Sequence, residues 1–352
     1  MTNPRKIRVM VVEDSAVIRE LLCHIIAEHP QLEVAASVGS GEEALRLLET
    51  ICPDVISLDI RLPGIDGFET TCRVMSRKPT PIVVVSASVE SSDLNISMNA
   101  LRAGALAVLE KPVGVTNADY AAIAAKLCTQ LVIMSSVKLV RQRLALPAVS
   151  SPFPQTPSAG GPYSLLAVAA STGGPNALTT LLRELGRGFP LPILLVQHIT
   201  PSFLEGFVSW LDFQGPLKAV VARDGERPQP GVVHVAPAER HLVLKAGLMR
   251  LQSGPPVSFQ RPSGTVLFES LAPELGPRAL GLLLTGMGDD GAQGLLAMRA
   301  AGAYTLAEDE STAVVYGMPG AAAKLGAVSE LLPLGDLAPR IRQLLSSQEA
   351  PH

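Results

Sequence analysis

Short apolar runs rich in β-branched residues recur along this chain and alternate with longer segments in which apolar positions follow a helical period. In the first half the runs are Val9 to Val12, Glu33 to Ser37, Val55 to Leu58, Ile82 to Val85 and Leu106 to Leu109. Near-continuous apolar strands separated by helices are the pattern of a parallel sheet covered on both faces, because parallel strands need crossover connections and the crossovers bury both sides. The first half is therefore expected to be a five-stranded, doubly wound parallel α/β unit. The alternation resumes at Leu165 to Ala170, Ile193 to Gln197, Val232 to Ala236, Leu242 to Leu244 and Leu282 to Leu284. A second doubly wound, mostly parallel α/β unit follows, with Val232 to Leu251 reading as an antiparallel excursion.

Between the halves, Ala148 to Pro162 reads AVSSPFPQTPSAGGP, an uncharged, aperiodic and proline-rich linker. Val137 to Leu146 has helical spacing and positive charge, so it extends the last helix of the first unit. The expected division is residues 5–126, a helical extension and linker over 127–162, and a second domain over 163–348.

Composition narrows the class. With 352 residues, 47% hydrophobic, 4% aromatic and a formal charge of -3, the chain reads as a soluble globular protein with no basic excess for nucleic acid. No stretch nears the roughly 18 apolar residues of a membrane span, and the basic start is followed only by Val9 to Val12 before Glu13, which is no signal peptide. A cytoplasmic location without membrane insertion is expected. Cys23, Cys52, Cys72 and Cys128 lack paired spacing and read as reduced packing residues.

Ligands of open parallel sheets gather at the carboxyl ends of the strands. In the first half these ends carry Glu13 and Asp14, Asp59, Ser86 and Lys111. Three neighbouring carboxylates repel one another unless a cation joins them, and an all-oxygen set suits a hard divalent ion such as Mg²⁺. Beside such an ion a carboxylate can accept a phosphoryl group, with Lys111 balancing its charge and Ser86 donating a hydrogen bond. Taken singly, an Asp ending a strand is more often a turn or helix cap. In the second half, LLAVAA delivers Ser171 into Thr172, Gly173, Gly174 and Pro175 before a helical segment. Strand, small-residue turn and helix make a nucleophile platform whose backbone N–H groups face a developing oxyanion; a helix cap is the competing reading, and no Walker lysine supports a phosphate loop. His198, ending the strand ILLVQ, is the favoured base. His234 sits within a strand, and His241, beside Arg240 on an expected loop, suits substrate contact. The turn GMGDDG supplies Asp289 and Asp290 as orienting acids, between which local chemistry does not choose.

The motifs VEDS, SLDIRLPGIDG, VSAS and LEKP resemble, in order, the flavodoxin-like receiver domain of bacterial response regulators. That resemblance implies Glu13, Asp14 and Asp59 as Mg²⁺ ligands, Asp59 as phosphoacceptor, and Ser86 and Lys111 as switch and phosphate partner. Val108 stands where the family often has an aromatic switch residue. The motifs STGGP, VQH, HVAPAERH, GPPVSFQRPSGTVLFESLA and LLTGMGDDGAQGL resemble the catalytic domain of the chemotaxis response-regulator methylesterases. The resemblance implies Ser171 as nucleophile, His198 as base, Asp290 as orienting acid, and Thr172 and Met287 at the oxyanion site. It implies hydrolysis of glutamate γ-methyl esters and deamidation of glutamines on chemoreceptors, with phosphorylation by a sensor histidine kinase opening the site. A catalytically silent interaction switch, and a receiver-controlled hydrolase of another ester, are the alternatives.

Overall fold

The computed structural model describes residues 5–86, 99–101, 103–112, 117–137 and 163–346. Its backbone divides into two compact units, 1–150 and 151–352. The expected extension over Val137 to Leu146 lies, beyond Val137, outside the described residues, as does the linker of Ala148 to Pro162.

In the first unit, strands β1 (Ile7–Val12), β2 (Leu32–Val38), β3 (Val55–Leu58), β4 (Ile82–Ser86) and β5 (Ala107–Glu110) form one sheet in the order β2-β1-β3-β4-β5, every pair parallel. Helices α1 (Ala16–Glu28), α2 (Gly41–Ile51), α3 (Gly67–Arg77) and α4 (Asn117–Ser135) flank it. Local chemistry starts the first three: Ser15, Ser40 and Asp66 accept from the N–H groups of Ile18, Glu43 and Glu69 at 3.5, 3.3 and 2.8 Å. The strands are apolar because both faces are covered; Val9, Met10, Val11, Ile56, Val83 and Val84 are all buried.

The second unit is built on seven strands in the order β14-β13-β12-β6-β7-β9-β8. In chain order these are β6 (Leu165–Ala170), β7 (Ile193–Gln197), β8 (Lys218–Val221), β9 (Val232–Val235), β12 (Ala279–Leu283), β13 (Tyr304–Glu308) and β14 (Glu330–Leu332), all parallel to their neighbours. The helices among them are α5 (Gly174–Leu185), α6 (Leu204–Gln214), α7 (Gly264–Leu275), α8 (Ala292–Ala300), α9 (Met318–Lys324) and α10 (Leu334–Ser346). Only part of the expected antiparallel excursion is antiparallel. The run beginning at Val232 is a parallel member of the main sheet, whereas β10 (His241–Lys245) and β11 (Leu248–Gln252) form a separate hairpin. Strands β8, β13 and β14 escape a reading by apolar runs because each is short or carries charge at an end, as Lys218, Glu308 and Glu330 do.

Each sheet has an interior place where the strand order reverses, and the second also inverts β8 and β9 at its edge. In the first it lies between β1 and β3, and in the second between β12 and β6. Connections leave such a point to opposite sides, opening a crevice beyond the carboxyl ends of the strands. Among the described residues, no helix is long and apolar enough to cross a membrane.

Candidate functional sites

At the first crevice Glu13 follows β1, Asp59 follows β3 and Lys111 follows β5. All three side chains are buried. The Lys111 ammonium lies 2.8 Å from Glu13 Oε2 and 2.9 Å from Asp59 Oδ2, while Asp59 Oδ1 accepts from the Ile60 N–H at 2.7 Å. Asp59 does not cap the following helix, since Asp66 does. Burial pushes the Asp59 and Glu13 carboxyls above their ordinary range against the pull of Lys111. Burial lowers Lys111, but its bonds to Glu13 and Asp59 outweigh that and hold it above the usual lysine value. Exposed Asp14 completes a group whose ligand atoms lie within 4.8 Å of one another. One ammonium against three carboxylates leaves a deficit of positive charge, and the oxygen-only donor set fits a hard divalent cation. Ser86, the last residue of β4, is buried, and its hydroxyl has no hydrogen-bond partner among the described residues.

At the second crevice Ser171 follows β6 directly. Its N–H donates to Thr285 O at 3.0 Å, its carbonyl accepts from the Gly174 N–H at 2.8 Å, and the His198 N–H donates to Ala170 O at 3.0 Å. Adjacent parallel strands thus bring Ser171 and His198 side by side. Ser171 does not cap α5: the capping position belongs to Gly173, left-handed at φ +79°, with no side-chain bond. The turn is also crowded. A Cβ on Gly286 would come within 2.8 Å of Ser171 Cβ, so the GMG turn approaches the serine as only glycine allows.

His198 Nε2 lies 2.8 Å from Asp290 Oδ2. A carboxylate only accepts, so the proton of the neutral ring sits on Nε2 and the lone pair on Nδ1. Nδ1 is buried with no partner among the described residues. Asp290 is itself saturated: Ser263 Oγ donates to Oδ1 at 2.5 Å, the Thr265 N–H to Oδ1 at 3.1 Å and the Gly264 N–H to Oδ2 at 2.7 Å. Burial raises its pKa, but His198, Ser263 and Gly264 outweigh that and hold the carboxyl below its ordinary range. The first turn of α7 supplies those donors, and a helix N-terminus favours an anion. Asp289, the adjacent candidate, is exposed.

Other expected residues divide. Thr172 lies in the turn with its carbonyl held by Thr285 Oγ1 at 2.9 Å, and Met287, 37% exposed, follows the glycine packed on Ser171. Arg240 is exposed and donates to Leu251 O at 3.0 Å. His241 departs from its expected setting. It opens β10 rather than lying on a loop, it is 2% exposed, and Nε2 and Nδ1 face Pro255 O at 2.9 Å and the Ser263 N–H at 3.2 Å. With both ring nitrogens occupied in the interior, it ties the chain at 255 to the chain at 263. His234 is likewise buried, with Nε2 accepting from the Gln229 N–H at 3.0 Å.

Three residues escaped the sequence reading. Gln197 Nε2 donates to both Ser171 O (2.9 Å) and His198 O (3.0 Å), lacing the two turns together. Ser263 holds Asp290, and Glu308 Oε2 accepts from the Thr285 N–H at 2.9 Å beneath the serine turn. A polar residue ending an apolar strand is a signal for Gln197 and Glu308, whereas Ser263 reads only as a helix cap.

Fold and geometry define a two-unit α/β protein with a buried acid and lysine cluster in one unit and a serine, histidine and aspartate constellation in the other. Residues 9–120 match the response regulator receiver domain, and residues 166–341 match CheB methylesterase. The chain belongs to the CheB methylesterase family. A protein-glutamate methylesterase/protein-glutamine glutaminase of Paramagnetospirillum magneticum is 57% identical over 97% of this chain and 98% of its own. One of Myxococcus xanthus is 44% identical over 95% and 96%. The crystal structure of the Thermotoga maritima CheB methylesterase catalytic domain superposes with a TM-score of 0.50 at 32% identity, covering 52% of this chain and 98% of that one.

Proposed function

We propose that this protein is a cytoplasmic, phosphorylation-activated protein-glutamate methylesterase that hydrolyses γ-methyl esters of chemoreceptor glutamates and deamidates receptor glutamines. The observation that carries the reading is the His198 ring: Asp290 holds a proton on Nε2, leaving a buried Nδ1 lone pair beside the strand end that bears Ser171. Among the described residues no hydrogen bond joins Ser171 Oγ to that ring, and such bonds often tighten only when substrate arrives.

In the proposed reaction Ser171 Oγ attacks the ester carbonyl carbon while His198 Nδ1 takes the hydroxyl proton. The C–O bond to the methoxy group breaks, and the proton on Nδ1 passes to it, releasing methanol. Water then attacks the acyl-enzyme, again giving its proton to His198, and Ser171 leaves with that proton as glutamate forms. A γ-amide presents the same carbonyl, with ammonia replacing methanol. Asp290 stabilises the transient imidazolium, and its own four partners prevent it from turning away. The turn of Thr172 and the strand-end segment of Met287 line the oxyanion position.

In the first unit Asp59 accepts a phosphoryl group from a sensor histidine kinase, as the receiver match and its switch-point position support. Glu13, Asp14 and Asp59 would hold Mg²⁺, which when bound balances the negative charge of the transferring group. Lys111 then pairs with phosphoryl oxygens in place of the Asp59 carboxylate, and the unpartnered Ser86 hydroxyl donates to them. The test is methanol release from a methylated receptor fragment. Ser171→Ala is expected to lose about three orders of magnitude or more. Undiminished release by that variant overturns the nucleophile.

A further inference from the structure

We propose that the hairpin tip bearing Phe259 is a docking element for the protein substrate, engaging apolar side chains that flank the reacting glutamyl ester. The inference rests on the methylesterase reading. Val257 and Gln260 exchange backbone hydrogen bonds of 3.0 and 2.9 Å, closing a two-residue turn. Both central residues are left-handed, Ser258 at φ +47° and Phe259 at φ +62°. Such a turn ordinarily takes Asn-Gly or Asp-Gly, because glycine meets no steric penalty there. Here a phenylalanine occupies the second position, and it is 99% exposed. Folding therefore gains nothing from burying this ring and bears an unfavourable backbone conformation to display it. An outlier of that kind at a site's edge points to function.

The tip is mounted on the catalytic scaffold. The His241 ring bonds the chain on both sides of it, at Pro255 O and at the Ser263 N–H. Arg261 adds a second brace, with Nη1 donating to Gly254 O at 3.2 Å and Nη2 pairing with Glu239 Oε2 at 2.5 Å. Ser263 Oγ then donates to Asp290, the partner of His198. Three residues lie between Phe259 and Ser263, so their Cα atoms are at most about 14 Å apart. Met287, also exposed, follows the glycine that packs against Ser171. A fully exposed ring thus stands on the loop that leads into Ser263, and Met287 is partly exposed next to the glycine on Ser171, in a unit whose proposed substrate is the surface of another protein. An apolar anchor on a rigid mount is the kind of group that carries binding energy at a protein interface.

The experiment compares full-length wild type, Phe259→Gly and Phe259→Leu on a methylated receptor cytoplasmic fragment and on N-acetylglutamate γ-methyl ester, with thermal midpoints recorded alongside. Phe259→Gly is expected to lower kcat/KM on the receptor fragment roughly tenfold to a hundredfold, mainly through KM. Its turnover of the small ester should stay at the wild-type value, and its midpoint should be equal or higher, since glycine suits the left-handed position. Phe259→Leu should recover most of the receptor activity. Equal kcat/KM of wild type and Phe259→Gly on the receptor fragment overturns the docking role alone. Equal losses on both substrates also overturn it, by making the turn a support for the site. Altered small-ester turnover with unchanged receptor activity also overturns it, since the ring would then act on the site and not on the protein substrate. No methanol from wild type removes the methylesterase reading and this inference with it.

Discussion

The two crevices share a location and differ in how their charges are satisfied. Both lie at an interior reversal point of a parallel sheet, and both place a carboxylate where neighbouring strands end. At the first, Glu13 and Asp59 share one ammonium in the interior, and burial drives both carboxyls upward. That arrangement is charge-deficient, which suits the proposed binding of a cation and a phosphoryl group. At the second, Asp290 is surrounded by Ser263, Gly264, Thr265 and His198 and is held ionised. It needs nothing more. The first carboxylates are left short of positive charge, whereas the orienting carboxylate is fixed by preorganised donors and only the His198 Nδ1 beside it is left unpartnered among the described residues.

The sharpest way to break this contrast is to remove the saturated acid. Asp290→Asn is expected to reduce methanol release about a thousandfold or more, because an amide can donate to Nε2 and so favours the wrong tautomer. Ring-nitrogen chemical shifts of His198 should report the exchange, and near-normal activity would show that Asp290 is not the orienting acid. Asp59→Asn probes the other side. Basal methanol release should persist, while stimulation by a small phosphodonor, of a size about 5- to 150-fold for typical coupled sites, should vanish. Stimulation surviving in this variant would move the acceptor elsewhere.

The smallest effect belongs to Glu308, a buried carboxyl of the second unit with no ion pair among the described residues. Burial raises its pKa from an ordinary value of 4.5, against the bonds from Thr285 and Thr312. A carboxyl raised in the folded state contributes stability that is full below its unfolded value and is lost as pH rises through the folded one. Glu308→Gln keeps an acceptor for the Thr285 N–H, so its urea midpoint should gain on wild type between pH 5 and pH 7. A constant difference across that range would mean that Glu308 stays ionised throughout.

Much of this is legible in the sequence. Strands β6 and β7 appear with the expected bounds, and Asp59, Ser171 and His198 stand at strand ends as the apolar runs indicate. Their common alternative as helix caps was not removable by inspection, since capping and catalysis use the same residue types. Asp66 at one helix and Gly173 at the other remove it. His241 misled because its neighbours, Glu239 and Arg240, are polar and exposed, while the ring itself turns inward to bond Pro255 and Ser263.

What the sequence determined by itself was the alternation that makes two parallel sheets and the chemistry carried at their strand ends, because strand burial and helix period are local properties of composition and spacing. What only the tertiary structure decided was which groups meet. Asp290, which the resemblance implied and local chemistry did not choose over Asp289, faces His198, the N-terminus of α7 supplies its donors from a distant stretch of chain, and Phe259 stands uncovered on a loop braced by His241. Those relations depend on contacts between segments far apart along the chain, and no local pattern encodes them.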